Sequence, residues 1–378
     1  MKKKVLLLLA VLLVSLLVYG CGTEEVAPGT DDNANDVVAA PDGTPEFTWR
    51  MQVIHHPGQS SYHLNEKAAQ EVYEASGGRL KIDVHPTGTF ASSMEGFQAA
   101  GDGVFEMHSS WPVYIRGINF AWNPLGDGNM SADPHDKWVW IYEHGGWDLL
   151  QEGFDEMNLQ LIATEVWGSE VLHTNTPISR IEDLVGLVVR TSDPRIFEEF
   201  DIGAISLPLE EVFTAFETGA VDAAEFGHID YNVGLGLTDI ADYGIFPDFW
   251  NVHNVTTVVV NKQAWDTLPS DLQKIVELAF RANEFNHWTK SQYDSAVAMK
   301  ELEEAGEMEF IRLEAEGFAE LRRLMYEVEK AEIEQHGGLT AEVYESLHEF
   351  YELWYPYKKM AAHWGYGLEP MEIVGRQE

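Results

Sequence analysis

The chain has one cysteine, Cys21, so no internal disulfide can form and the fold must rest on its hydrophobic cores. Bases are scarce as well: 24 Lys and Arg stand against 63 Asp and Glu, a formal charge of −39. Such a surface is a poor match for nucleic acid or an anionic membrane face. Catalytic signatures are also missing. The sequence has no GxSxG, no phosphate-binding loop, no GxGxxG after a strand and no HExxH. The acid pairs Glu210-Glu211 and Glu303-Glu304 fall on predicted helices, where adjacent side chains point apart, so a glycosidase dyad gains nothing from them. His55, His56 and His63 are close in sequence and His85 and His108 end later strands, but their spacing supplies no ligand set for zinc.

What is present starts with an export signal. Lys2, Lys3 and Lys4 precede a leucine-rich run that closes on Gly20-Cys21, so residues 1–20 read as a lipoprotein signal peptide with Cys21 as the lipidated residue. The competing reading is a retained membrane anchor. Residues 21–46 hold no Lys or Arg and many turn formers, as expected of a disordered tether reaching ~25 to 30 Å from a lipid surface. Without Lys2–Lys4, 21 bases face 63 acids, a charge of −42. Salt screens that field beyond ~8 Å, so an anionic ligand requires a locally fixed cation.

From Phe47 onward strands and helices alternate, which predicts an α/β protein with open sheets and ligands beyond the strand C-termini. A chain of 378 residues is long enough for two cores. The rhythm divides it into lobe I (47–165), lobe II (166–253), a crossover strand returning to lobe I with a long connecting helix (254–300), and a C-terminal helical segment (301–378). An internal echo supports two related lobes: Glu95, Phe97, Ala99, Gly103 and Glu106 match Glu211, Phe213, Ala215, Gly219 and Asp222 at a constant offset of 116.

Two strand ends carry candidate chemistry. Arg190 closes the apolar run Leu187-Val188-Val189, where a guanidinium fork meets a ligand carboxylate or forms an internal ion pair with Asp193 or Glu198. Glu225 closes "VDAAEF", as a cation ligand or a solvated loop acid. Among the 12 tryptophans, Trp111, Trp122, Trp167 and Trp250 fall at predicted loop ends, where rings line clefts or stack on sugars, whereas Trp138, Trp140 and Trp288 fall in helices.

The segment "ISRIEDLVGLVVRTSD", followed by "EEVFTAFETGAVDAAEFG", resembles the extracytoplasmic solute receptors of tripartite ATP-independent periplasmic (TRAP) transporters. The likeness runs from about Phe47 through "VVVNKQAWDTLPSDLQKIVELAF" and is nearest to the 2-oxoacid and lactate branch. It implies a two-lobed periplasmic-binding-protein fold, type II-like in its TRAP variant, with crossover strands, a long connecting helix and no enzymatic activity. It further implies that Arg190 holds the carboxylate of a small organic acid, with Glu225, Phe226, Trp167, Ser169, Asn251, Trp111 and His56 around it. No cofactor is required. A Na⁺ or Ca²⁺ ion bridging to the ligand is implied at Glu225, the Phe226 backbone, Asn251 and Glu170. The sequence departs from the branch at Phe226, in place of its tryptophan, at Asn251, in place of its acid, and near Ser169, where its glutamine is missing. The implied partners are the small and large permease subunits, with the receptor lipid-anchored outside the cytoplasm. Two alternatives stand beside this reading: a sugar-binding lipoprotein of an ATP-driven importer, and an exported hydrolase.

Overall fold

The computed structural model describes residues 43–126, 134–192, 194, 197, 200–246, 254–313 and 315–361; for 315–325 and 361 only the backbone path is described. The signal peptide, Cys21, Asp193, Glu198, Trp250 and Asn251 lie outside the described residues.

Two sheets organise the chain. The first has the order β2 (Leu80–Pro86), β1 (Phe47–Val53), β3 (Met107–Ser110), β10 (Val255–Asn261), β4 (Leu159–Val166). Its β1 pairs parallel with β2 and β3, while β10 enters antiparallel between β3 and β4. The β-branched run "VTTVVVN" suits that inner position, and all seven residues of β10 are buried. Val258 and Val260 join Met51, Val72, Leu272, Val276 and Phe280 in one core. Val255 and Val259 join Phe97, Trp122, Phe154 and Phe350 in another, so both faces of the sheet are covered. Each large apolar side chain buried in this way stabilises the fold by roughly 1.5 to 3 kcal/mol.

The second sheet runs β11 (Glu309–Arg312), β9 (Tyr243–Phe246), β5 (Val171–Thr174), β8 (Ala223–Phe226), β6 (Val188–Arg190), β7 (Gly203–Ile205). The offset of 116 is visible in three dimensions: it carries β3 onto β8, and Gly103 (φ 77°) onto Gly219 (φ 72°). Both strands join their sheets through a parallel pair, β3 with β1 and β8 with β6. A glycine is required at the turn because φ there is left-handed.

The 36-residue helix Ser270–Ala305 packs against helix Ser60–Ala75, β4 and helix Ile229–Leu235, linking the two sheets. It ends at Gly306 (φ 69°), and the chain then forms β11. The C-terminal segment is therefore not purely helical as expected, since Phe310 and Ile311 extend the second sheet along β9. The last helix, Gly338–Ala361, returns to the first lobe, where Leu347, Phe350 and Tyr351 are buried. Among the described residues no helix is long and apolar enough to cross a membrane.

Candidate functional site

A narrow cleft lies between the ends of the two sheets, lined by Trp111, Val113, Tyr114, Glu170, Arg190, Ser192, Glu225, Phe226, Gly227 and Asn254. These residues surround about 240 Å³ of space, of which only about 10 Å³ accepts the centre of a water molecule, so the enclosed part has room for about one water. That enclosed part is smaller than an organic acid.

Arg190 ends β6 with β7 on one side and β8 on the other, and it is 1% exposed. Nη1 donates to the Glu225 carbonyl (2.8 Å) and Nη2 to the Leu207 carbonyl (3.1 Å), while the guanidinium lies 4.8 Å from the Phe226 ring centre. These bonds use two of its five N–H groups. Nε has no hydrogen-bond partner among the described residues. The fork is thus held by backbone and ring with Nε to spare, and neither of these two bonds is to a side-chain acid.

Glu225 ends β8, is 1% exposed and accepts from the Ser192 N–H at 3.1 Å. Glu170, 3% exposed, accepts from Asn254 Nδ2 at 2.7 Å. Asn254 Oδ1, Ser192 Oγ and Trp111 Nε1 are buried without hydrogen-bond partners among the described residues. Burial pushes the Tyr114 phenol up, opposed by the Arg190 guanidinium, so its hydroxyl stays neutral. One guanidinium, two carboxylates and several unused donors and acceptors meet in a nearly dry space. Leaving such groups unmatched costs roughly 1 to 3 kcal/mol each, which is what a polar ligand would relieve.

Of the residues expected at the site, Arg190, Glu225, Phe226, Glu170 and Trp111 share this cleft. Trp167 does not line it. The Trp167 N–H bonds the Asn254 carbonyl (2.8 Å), extending the β4–β10 pairing, and the ring, 0% exposed, is stacked on His55 and His228 with Nε1 donating to Thr256 Oγ1. Ser169 Oγ donates to the Glu170 carbonyl and is likewise outside the lining. His56 bonds Gln59 through its backbone N–H and stands apart from the cleft. Trp122, expected at a loop end, is 1% exposed in the first lobe's core. Val113, Tyr114 and Asn254 were missed. The signal for them is positional: Val113 and Tyr114 form the turn Pro112–Ile115 just beyond β3, and Asn254 immediately precedes β10.

The family model described as DctP, bacterial extracellular solute-binding protein, family 7, matches residues 53–335. A monocarboxylate 2-oxoacid-binding periplasmic protein from Nostoc is 25% identical over 269 residues, covering 70% of this chain and 72% of that one. Among solved structures, a TRAP periplasmic solute-binding protein from Pseudoalteromonas atlantica with bound sodium and pyruvate matches with a TM-score of 0.76 at 22% identity, covering 84% of this chain and 98% of that one. A TRAP transporter solute-binding protein from Bordetella bronchiseptica with copurified calcium and picolinate matches with a TM-score of 0.77 at 20% identity, covering 85% and 96%. At these identities the likeness to the solved structures is one of fold.

Proposed function

The chain belongs to the DctP family of bacterial extracellular solute-binding proteins, family 7, and from that premise we propose that it captures a small 2-oxo or 2-hydroxy acid in the cleft around Arg190 for delivery to a TRAP permease. The observation that carries the reading is the composition of the cleft. Arg190 is its only cationic side chain among the lining residues and retains unused N–H donors, with Trp111 Nε1 and Ser192 Oγ beside it for a carboxylate. Glu170 and Glu225 make the lining acidic by one formal charge, so an anion entering alone meets net repulsion, stronger in a water-poor space than in bulk.

A bridging cation removes that difficulty, and the donors suit one. The Glu225 and Glu170 carboxylates, Asn254 Oδ1 and the Phe226 carbonyl are hard oxygen ligands of the kind Na⁺ and Ca²⁺ take. Such an ion would supply local positive charge for the ligand. Asn251, lying outside the described residues, is retained as a further oxygen donor. Pyruvate and picolinate, held with metal ions by the two structural relatives, each place a donor atom next to the carboxylate. That shared chemistry favours a chelating α-substituted acid here. The family is one of receptors, so the ligand leaves unchanged. Anchoring through lipidated Cys21 belongs to the same proposal, supported by its place after Gly20 at the end of the apolar run.

Calorimetry against pyruvate, lactate, picolinate and neutral sugars, with and without Na⁺, Ca²⁺ and chelator, tests the reading. The expected result is binding of a 2-substituted acid that weakens about 100-fold or more in Arg190→Ala, the scale of losing charged hydrogen bonds. Glu225→Gln should lose the cation dependence. Sugar binding undiminished by Arg190→Ala would sink the proposal.

A further inference from the structure

Behind the cleft, three residues far apart in sequence meet in the buried interior. His55 follows β1, held by the Ile54 N–H to the Ser109 carbonyl (2.8 Å); Glu165 lies on β4 opposite Thr256; His287 lies midway along helix Ser270–Ala305. All three are 0% exposed, and one ligand atom from each lies within 4.8 Å of the other two. We propose that His55, Glu165 and His287 form a buried metal site for zinc or a similar divalent transition ion, separate from the ligand cleft.

The donor set carries the argument. Both ring nitrogens of His55, and Nδ1 of His287, are buried with no hydrogen-bond partner among the described residues. Unpaired imidazole nitrogens in a core are costly, and one from each ring beside a single carboxylate calls for a common occupant. Two imidazoles and a carboxylate form a ligand set that zinc uses, with a fourth position left for water. A point equidistant from three atoms 4.8 Å apart lies about 2.8 Å from each, so an inward shift of roughly 0.7 Å per ligand reaches zinc–nitrogen distances.

The outer contacts are those of a held ligand shell. His287 Nε2 faces Ser61 Oγ at 3.0 Å, leaving Nδ1 as the coordinating nitrogen. The Glu165 carboxylate accepts from Thr256 Oγ1 (2.9 Å) and from Asn283 Nδ2 (3.2 Å), one helical turn before His287. Bound metal would join the segment after β1, β4 and the long helix, fixing the helix to the first sheet beside Trp167, whose ring centroid lies 4.6 Å from that of His287.

The test uses the full mature chain, prepared without a polyhistidine tag or chelator. Metal analysis should find close to one zinc per chain. After its removal, cobalt(II) should restore one equivalent and give the visible absorption of a tetrahedral nitrogen–oxygen site. His55→Gln and His287→Gln should each weaken cobalt binding by at least about 100-fold, whereas Glu225→Gln in the ligand cleft should leave it unchanged. No retained metal and no cobalt band would mean that these three residues bind no metal. A band that survives His287→Gln and vanishes with Glu225→Gln would assign the metal to the cleft. Either result overturns the proposal.

Discussion

Arg190 shows how much one side chain depends on its backbone frame. Its Nη atoms bond the Glu225 and Leu207 carbonyls, so the planar fork is aimed before any ligand arrives. Lysine retains the charge but not the fork, so Arg190→Lys should weaken acid binding by about tenfold or more in the same calorimetric assay. Buried titratable residues make a second prediction. Burial lowers His108 and His173 to about 4, so between pH 6.5 and 4 the unfolded chain binds protons that the folded chain refuses, and stability falls with falling pH. Burial raises Glu284 to about 8, so between pH 4.5 and 8 the folded chain keeps a proton that the unfolded chain loses, and stability falls with rising pH. Each group contributes up to about 1.4 kcal/mol per pH unit. His228 and His287, lowered to about 3, act with these two histidines; Glu165, raised to about 7, acts with Glu284; and Lys137, lowered to about 7, makes stability rise with pH above 7. Urea unfolding should therefore show stability falling as the pH drops below 6.5, and Glu284→Gln should make the slope between pH 6.5 and 8 more positive; an unchanged slope there would refute the assignment.

The helix Leu209–Glu217 shows how an element can act across the cleft. Glu210 at its start accepts from Thr87 Oγ1 (3.0 Å), the Ser93 N–H (3.0 Å) and Ser93 Oγ (2.9 Å), while the Leu209 N–H donates to Ser93 Oγ (3.3 Å). Ser93 and Leu209 are themselves related by the offset of 116, so the two halves of the echo are bonded to each other. Glu210→Ala should loosen closure, read as a larger radius of gyration in solution scattering and a ligand off-rate raised about tenfold. Matching scattering curves and off-rates would discount the latch. Gly101 makes a prediction of the opposite kind. A Cβ there would overlap the Met157 carbonyl oxygen, a backbone atom that cannot swing aside. Gly101→Ala should therefore lower stability by about 1 to 3 kcal/mol despite its gain in helix propensity.

At the scale of the whole molecule, the charge of −39 repels itself in the compact state. Raising NaCl from about 0.1 M to 1 M shortens the screening length from about 10 to 3 Å, so the melting temperature should rise; a fall would show that ion pairs such as Arg50–Glu106 outweigh the repulsion. Much of the architecture was legible in the sequence because strand–helix alternation and the glycine turns are local patterns, and the echo at 116 residues is one such local unit occurring twice. The ends of β6 and β8 were legible for the same reason, and with them Arg190 and Glu225. The strand β11 was not, since a four-residue edge strand between long helices acquires its identity only by pairing with β9. Nor was Trp167, whose burial follows from a neighbouring strand rather than from its own flanks. By itself the sequence determined the two-lobed α/β plan, the acidic surface and the two charged strand ends, since periodicity and composition act within a few residues. Only the tertiary structure decided that Val113, Tyr114 and Asn254 complete the cleft, and that His55, Glu165 and His287 meet behind it. Those contacts span up to 232 residues, and sheet pairing and helix packing, not spacing along the chain, bring them together.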